Sequence, residues 1–387
     1  MSRWRNFCIT ELADFCNAQR IPLSAMERAH KKGNFPYYGA SGIVDYIDNY
    51  IFDGSYILIS EDGENLKSRK TPIAFEATGK FWVNNHAHVL KAKKPHLTAL
   101  IIQYFSQLDL SPYLTGAAQP KLNKASLNLI PLYLPIDESE QKAIASILSS
   151  LKDKIDLLHC QNKTLESMAE TLFRQWFDVD SNDEWQEKNV LDIFTLVGGG
   201  TPKTSVAEYW TDEIPWISGG DISAAHQGYL YSTEKSISLA GLQNSSAKLL
   251  PKNSTVISAR GTVGKYALLA RDMAFSQSNY GIVSKIGNYP FFIYLLVGFI
   301  VDDLLTAAYG SVFDTITTRT FESVNLKFPS LNSIEKFNEE ISPIFSKKET
   351  NTQQIKTLET LRDTLLPKLM SGEVRVQYAE EKLESVA

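Results

Sequence analysis

Four short constellations in this chain have residue types that could do chemistry. Gly198-Gly-Gly-Thr-Pro-Lys-Thr204 sets three glycines before a lysine and a threonine, the residue types that cradle and neutralise phosphate. The Gly-x-x-x-x-Gly-Lys spacing is missing, however, and Pro202 lacks an amide that such a cradle needs, so nucleotide binding is not expected there. His86-x-His88 on a strand could offer two metal ligands, yet no Cys or acidic partner follows at ligand spacing. A polar loop pair is the simpler reading. Asp62-Gly-Glu64 and Asp302-Asp303 are carboxylates without a partner recognisable in sequence, and Met168 with Phe173, Trp176 and Phe177 reads as a packing stripe. Nothing resembles a nuclease carboxylate-lysine cluster or a helicase phosphate loop.

The elements that must position any such residues are written twice. The segment Leu114 to Pro135 is echoed by Ala308 to Pro329, with Gly116 and Gly310, Leu122 and Ile316, Leu127 and Phe321, and Pro135 and Pro329 all 194 positions apart. Leu165-Glu-Ser-Met-Ala-Glu-Thr-Leu-Phe173 returns as Leu358-Glu-Thr-Leu-Arg-Asp-Thr-Leu-Leu366 at an offset of 193. Trp4 with Leu12 and Phe15 answers Trp185 with Ile193 at a shorter offset, so the copies differ in length only in their front halves. The period is far too long for a solenoid and implies two tandem units, each ending in a helix.

Both helices have coiled-coil spacing. From Glu138 to Trp176 the apolar positions are Ile144, Leu148, Leu151, Ile155, Leu158, Leu165, Ala169, Leu172 and Trp176, alternating by four and three with Asn162 interrupting the seam. Straight, this segment would be roughly 60 Å long. The second series runs Phe337, Ile341, Ile344, Lys348, Asn351, Ile355, Leu358, Arg362, Leu365 and Leu369. Its polar members suggest a stretch facing solvent or a partner protein, and Pro343 predicts either a kink or a true start near Ser342. The simplest arrangement packs the helices antiparallel as a spacer with Asn162 fixing register. The other makes each a core helix of its own domain.

Composition sets the remaining bounds. At 387 residues and 43% hydrophobic, the chain can bury two ordinary cores. Cys8, Cys16 and Cys160 form neither a C-x-x-C pair nor an even framework, which points to a reducing cytoplasm. The first residues lack a signal-peptide core, and the apolar stretch from Phe291 to Val301 is too short to span a bilayer. A net charge of −5 argues at first against a nucleic-acid partner. Residues 1–136 nevertheless hold 15 Lys and Arg against 11 Asp and Glu, whereas every later segment is acidic. The first globular unit alone is basic. Short β-rich runs broken by glycine turns, as in Phe35 to Gly63, Ile214 to Ile222 and Ser254 to Leu268, with helices over Pro95 to Gln107 and Pro290 to Ala307, make each unit α+β.

A family resemblance rests on the Trp4 and Trp185 openings, Gly198-Gly-Gly-Thr-Pro202, Pro215-Trp-Ile-Ser-Gly-Gly-Asp221, Gly261-Thr-Val-Gly264, the Gly116 and Gly310 segments, Glu140-Gln-Lys142 and Leu366-Pro-Lys-Leu-Met-Ser-Gly-Glu-Val-Arg375. Together these resemble the specificity (S) subunit of type I restriction-modification systems over nearly the whole chain. Lys336 after Glu335, where the first helix has Glu140-Gln141, is the one departure. The resemblance implies an α+β fold class: two tandem target recognition domains (1–136 and 182–330) of mixed α/β fold, separated by two long antiparallel coiled-coil helices (137–181 and 331–377) in pseudo-twofold symmetry, with a tail at 378–387. It also implies a non-catalytic subunit that reads double-stranded DNA with a bipartite site and docks two methyltransferase subunits. Restriction subunits would join in the full complex, with S-adenosylmethionine, Mg and ATP on those partners. The Asn-Pro-Pro loop of the amino-methyltransferases is absent, since the chain has no adjacent prolines. A recognition subunit of a two-subunit system cutting on both sides of its site, a coiled-coil protein-binding adaptor, or a stand-alone enzyme on glycans or nucleotides are the alternatives.

Base edges and phosphates call for Arg, Lys, Asn, Gln, Ser and Thr. The DNA-binding candidates in the first unit are Tyr37, Tyr38, Ser41, the cluster Lys67, Arg69 and Lys70, the run Asn84, Asn85 and His86, and Lys121 with Lys124. In the second they are Lys203, Thr204, Arg260, Thr262, Lys265, Ser276, Gln277, Asn279, Tyr280, Thr317 and Arg319.

Overall fold

The computed structural model describes residues 4–116, 119–177, 185–309, 315–374 and 376. Gly310, the 178–181 end of the first expected helical region and the 378–387 tail lie outside the described residues. Two compact units emerge: Met1–Leu157 with Gln354–Ala387, and Leu158–Gln353. The division falls inside the long helices, so each helix contributes one half to each unit.

The first unit runs β1 (Trp4–Phe7), α1 (Ile9–Leu12), β2 (Ala13–Phe15), α2 (Ala25–Ala29), β3 (Lys32–Gly39), β4 (Gly42–Ile47), β5 (Phe52–Asp53), β6 (Tyr56–Ser60), α3 (Asn65–Ser68), β7 (Ala74–Ala77), β8 (Lys80–Val83), β9 (Ala87–Ala92), α4 (Pro95–Gln107), α5 (Lys124–Leu129) and β10 (Leu132–Pro135). It then enters α6 (Glu138–Trp176). One sheet has the order β2-β9-β6-β7 and a second β4-β3-β8-β5. β6, Tyr-Ile-Leu-Ile-Ser, is central and buried on both faces, which suits its aliphatic composition. Leu97, Leu100, Ile101 and Phe105 of α4 share a core with Ile57, Ile59 and Leu90, and Ile144 and Leu148 of α6 and Leu366 and Met370 of the final helix join it.

The second unit repeats the plan with β11 (Gln186–Asn189), α7 (Val190–Ile193), β12 (Phe194–Gly198), β13 (Ile214–Ile217), α8 (Gly219–Ala224), β14 (Tyr229–Leu230), β15 (Lys235–Ile237), α9 (Leu239–Gln243), β16 (Leu249–Leu250), β17 (Thr255–Ser258), β18 (Tyr266–Leu269), β19 (Met273–Phe275), β20 (Asn279–Ser284), α10 (Pro290–Ala308), α11 (Thr318–Glu322), β21 (Asn325–Phe328) and α12 (Leu331–Ser371). Its sheets are β12-β20-β17-β18-β14 and β15-β13-β19-β16. The correspondence extends to single hydrogen bonds. Glu61 N donates to His86 O at 2.9 Å, as Ala259 N does to Ser278 O at 2.9 Å; Leu122 N donates to Glu61 O at 2.8 Å, as Ile316 N does to Ala259 O at 3.1 Å.

Three expectations about the helices need correction. α12 begins at Leu331, capped by the Ser330 hydroxyl accepting from Ser333 N at 3.2 Å, so Pro343 neither starts nor breaks it. At that point Ser342 Oγ donates to Asn338 O at 2.5 Å. Two members of the polar seam are interior, Lys348 at 7% exposed and Asn351 fully buried, while Arg362 is part-exposed and pairs with Asp363 at 2.8 Å, as a solvent-facing stretch would. Within the second unit Lys348 pairs with Glu166 at 2.9 Å and donates to Gln227 O at 3.0 Å, while Asn162 donates to Thr352 Oγ1 at 3.1 Å and Asn351 to Gln161 Oε1 at 3.3 Å. These contacts run antiparallel. Third, α10 is 19 residues and by length and composition alone could cross a membrane, longer than the apolar stretch read from sequence. Its Phe292, Ile293, Leu296, Val297, Ile300 and Leu304 instead fill the second unit's core beside Phe173, Phe177 and Phe337.

Candidate nucleic-acid interface

In the first unit one sheet edge gathers loops from four places. β6 ends at Ser60, opposite Ala87 at the start of β9, so Glu61–Gly63 and Asn84–His86 lie side by side. The chain before α5 closes over them: Gly63 N donates to Pro120 O at 3.1 Å and Thr115 pairs with Lys121 in both directions at 2.8 Å. The two-residue Ala40-Ser41 turn between β3 and β4, with Gly42 at φ +122°, is tied to the same edge. Ser60 Oγ donates to Ala40 O at 2.5 Å and Asn84 N to Tyr38 O at 3.0 Å. Ser41, Asn85, His86 and Lys121 are exposed there, and Asn84 is half-buried.

Beneath this edge lies a polar network that sequence reasoning missed. Arg20 pairs with Glu61 at 2.8 Å and donates to Ala87 O at 2.7 Å and Asn85 O at 3.3 Å; Lys121 stands 3.5 Å from the same carboxylate. Burial pushes the Glu61 carboxyl up, but the Arg20 hydrogen bond and the positive charges of Arg20 and Lys121 outweigh it and hold the group below the usual carboxylate value. His88 is 1% exposed. Its Nε2 can only donate to Leu122 O (2.7 Å), and its Nδ1 accepts from the Asn17 amide (2.9 Å), which fixes the neutral tautomer. Burial lowers its pKa accordingly. His86 points the other way to Asp62, at 2.8 Å, so the two histidines cannot share a metal, and Asp62 has the partner that sequence did not reveal. Among the described residues no group of three or more His, Cys, Asp or Glu could hold an ion.

The second unit builds the corresponding edge from glycine-rich loops. β17 and β20 place Ser258 opposite Asn279, and β12 places Gly198 opposite Tyr280. A side chain at Gly199 would lie 2.4 Å from Ser276 O and 2.5 Å from Phe275 O, so this loop must be glycine to pass. Thr201 donates to Gln277, and Ser223 and Thr262 share a hydrogen bond at 2.6 Å. Arg260, Thr262, Gln277, Thr317 and Arg319 are exposed along this edge or the α11 start that follows Ile316, as are Lys203 and Thr204 beyond Thr201; Lys265 and Tyr280 are half-buried.

Several candidates are buried in the frame or held against it instead. Tyr37 is 1% exposed, its hydroxyl accepting from Leu23 N at 2.9 Å. Ser276 and Asn279 are 5% and 1% exposed and bond each other at 2.9 Å. Tyr38 is half-buried against Phe75 and Phe81, and burial raises its pKa. Arg69 donates to Ser106 O at 2.9 Å and to Leu108 O, tying down the end of α4, and with Lys70 it lines a hollow beside Gln103, Arg362 and Asp363. Lys67, Arg69 and Lys70 are all exposed, but only the Arg69 guanidinium is committed to backbone carbonyls. Lys124 is exposed but lies 4.8 Å over the Phe15 ring.

The family model described as the type I restriction modification DNA specificity domain matches residues 1–167 and 182–360. S.HindORF215P of Haemophilus influenzae, named as a type I restriction enzyme specificity subunit, is 37% identical over 143 residues, spanning 37% of this chain and 36% of that protein. The MjaIX type I specificity subunit of Methanocaldococcus jannaschii is 24% identical over 89% of this chain and 88% of its own length. The crystal structure of the S subunit of a type I restriction-modification system from M. genitalium shares the fold at a TM-score of 0.65 and 14% identity, covering 95% of this chain and 96% of that one. With two matched domains covering most of its length, the chain belongs to the type I restriction-modification DNA specificity family.

Proposed function

We propose that this chain is the non-catalytic recognition subunit of a type I restriction-modification complex, each unit reading one half of a bipartite DNA site. The observation that supports this is the duplicated sheet edge: equivalent backbone hydrogen bonds hold different polar side chains, Ser41, Asn85, His86 and Lys121 in one copy and Arg260, Thr262, Gln277 and Thr317 in the other. A common frame with different reading groups suits two unlike half-sites. The long helices set the gap between half-sites and dock two methyltransferase subunits, with restriction subunits in the full assembly. S-adenosylmethionine, magnesium and ATP belong to those partners, and the complex works in the cytoplasm. Exposed Lys and Arg at the edges supply phosphate contacts, whose affinity falls with salt.

Methylation mapping in cells with and without this protein, together with its methyltransferase chain, tests the reading. A bipartite motif that vanishes with the protein is expected. A motif that persists without it, or one continuous motif, refutes it.

A further inference from the structure

The strand β4 is an unpaired sheet edge whose outer side chains are apolar. Ile43, Val44 and Tyr46 are 47%, 58% and 50% exposed. An exposed edge of this kind invites unwanted pairing unless it has a use. It does not result from poor anchoring: Tyr37, Ile47 and Trp82 pack beneath the ribbon, and Arg28 and Lys32 hold Asp45 at 3.3 and 2.6 Å. The ribbon's tip is continuous with the polar loop edge through the bonds from Ser60 to Ala40 and from Asn84 to Tyr38.

The two units also differ most at this connection. β3 runs parallel to β8 as β13 runs parallel to β19, and β4 flanks β3 as β15 flanks β13. In the first unit only Ala40 and Ser41 separate the flanking strands; in the second, residues 218–234 intervene, with α8 and β14 among them. In a duplicated reader of unlike half-sites, the part that must differ is the part that reads.

We propose that the β3–β4 ribbon is the base-reading element of the first unit, Ile43 and Val44 meeting thymine methyl groups in the major groove while Ser41 reaches a base edge. This rests on the DNA-reading function proposed above. A two-stranded ribbon fits the groove, about 12 Å wide, and apolar contact with the thymine methyl is one of its direct signals.

The test is methylation mapping of the whole modification complex carrying Ile43→Ser with Val44→Ser, beside a Leu129→Ser control at a 74% exposed position of the same unit. Both positions of the double variant are exposed, so folding should survive, and thermal melting checks it. One half of the bipartite motif should become degenerate while the other half and the control stay as in wild type. Binding discrimination against a mismatch in that half should fall from about tenfold or more to near onefold. An unchanged motif overturns the inference and leaves the broader function standing. So does loss of co-purification with the methyltransferase chain, which would make the patch a protein-docking surface. Absence of any bipartite motif in wild type sinks both.

Discussion

Replacing Lys67 and Lys70 together by alanine, and separately replacing Arg69, should give different phenotypes although the three residues are neighbours in sequence. Lys67 and Lys70 are exposed, whereas the Arg69 guanidinium is committed to the Ser106 and Leu108 carbonyls at the end of α4. If both lysines contact phosphate, their loss makes the slope of log affinity against log salt shallower by about 1.8, at roughly 0.9 per contact. Arg69→Ala should leave that slope unchanged. It removes a cation from a helix C-terminus, costing about 1 kcal/mol after allowing for solvent exposure. In a unit of this size that lowers the melting temperature by roughly 2–4 °C. Arg69 also sits at φ +49°, a left-handed conformation that disfavours any residue but glycine by about 1 kcal/mol, so Arg69→Gly should recover most of the loss. Salt-titrated fluorescence anisotropy of the assembled complex, with calorimetric melting, separates the cases. A shallower slope for Arg69→Ala with unaltered melting would refute the assignment, as would an unchanged slope for the lysine pair.

Lys348→Met should destabilise the second unit by about 2–3 kcal/mol, because Glu166 is left without its cation in a partly buried seam, and adding Glu166→Leu should restore most of it; calorimetry of the three variants decides, and no loss in the single variant refutes the pair's role. His88 and Glu61 both have depressed pKa values in the folded state, so their stabilisation is complete above the unfolded values and is lost as pH falls. The His88 contribution should fade from about pH 6.5 downward, by at most about 1.4 kcal/mol per pH unit, and His88→Gln should flatten the denaturation midpoint against pH in that window. Tyr37→Phe should cost about 1 kcal/mol of stability through the lost bond to Leu23 N and leave DNA affinity unchanged, which equilibrium unfolding and binding titration together check.

The helices and the duplication were legible because they depend on long regular patterns. The span Glu138–Trp176 follows from apolar spacing and ends where expected. The 194-residue offset likewise predicted that Leu122 and Ile316 are equivalent, and their amides make equivalent bonds. Charge balance inside the seam was not legible. A lysine at a core position reads as exposed until Glu166, on a different helix, and the Gln227 carbonyl are found beside it. The Arg20–Glu61–His88 network was invisible for the same reason, since its members are 41 and 27 positions apart and no local spacing links them. In sequence Tyr37, Ser276 and Asn279 read as surface groups because polar and aromatic residues near turns resemble one another; only burial separates those that bond the frame from those that project beyond it.

That separation explains how one frame can serve two readings. The bonds shared by the units are backbone bonds, from Glu61 or Ala259 to the loop before the next central strand, and from Leu122 or Ile316 back to the same residue. Backbone bonds constrain the path of the chain and leave side-chain identity open. The buried groups that reinforce the edge are private to each unit: an ion pair and a neutral histidine in the first, glycine contacts and the Ser276–Asn279 bond in the second. Substitutions in these supports should therefore impair one unit's stability before they alter any sequence preference, while substitutions at exposed edge positions should do the reverse. A variant such as Asn279→Ala that changed a methylated half-site without lowering the melting temperature would break this division of labour.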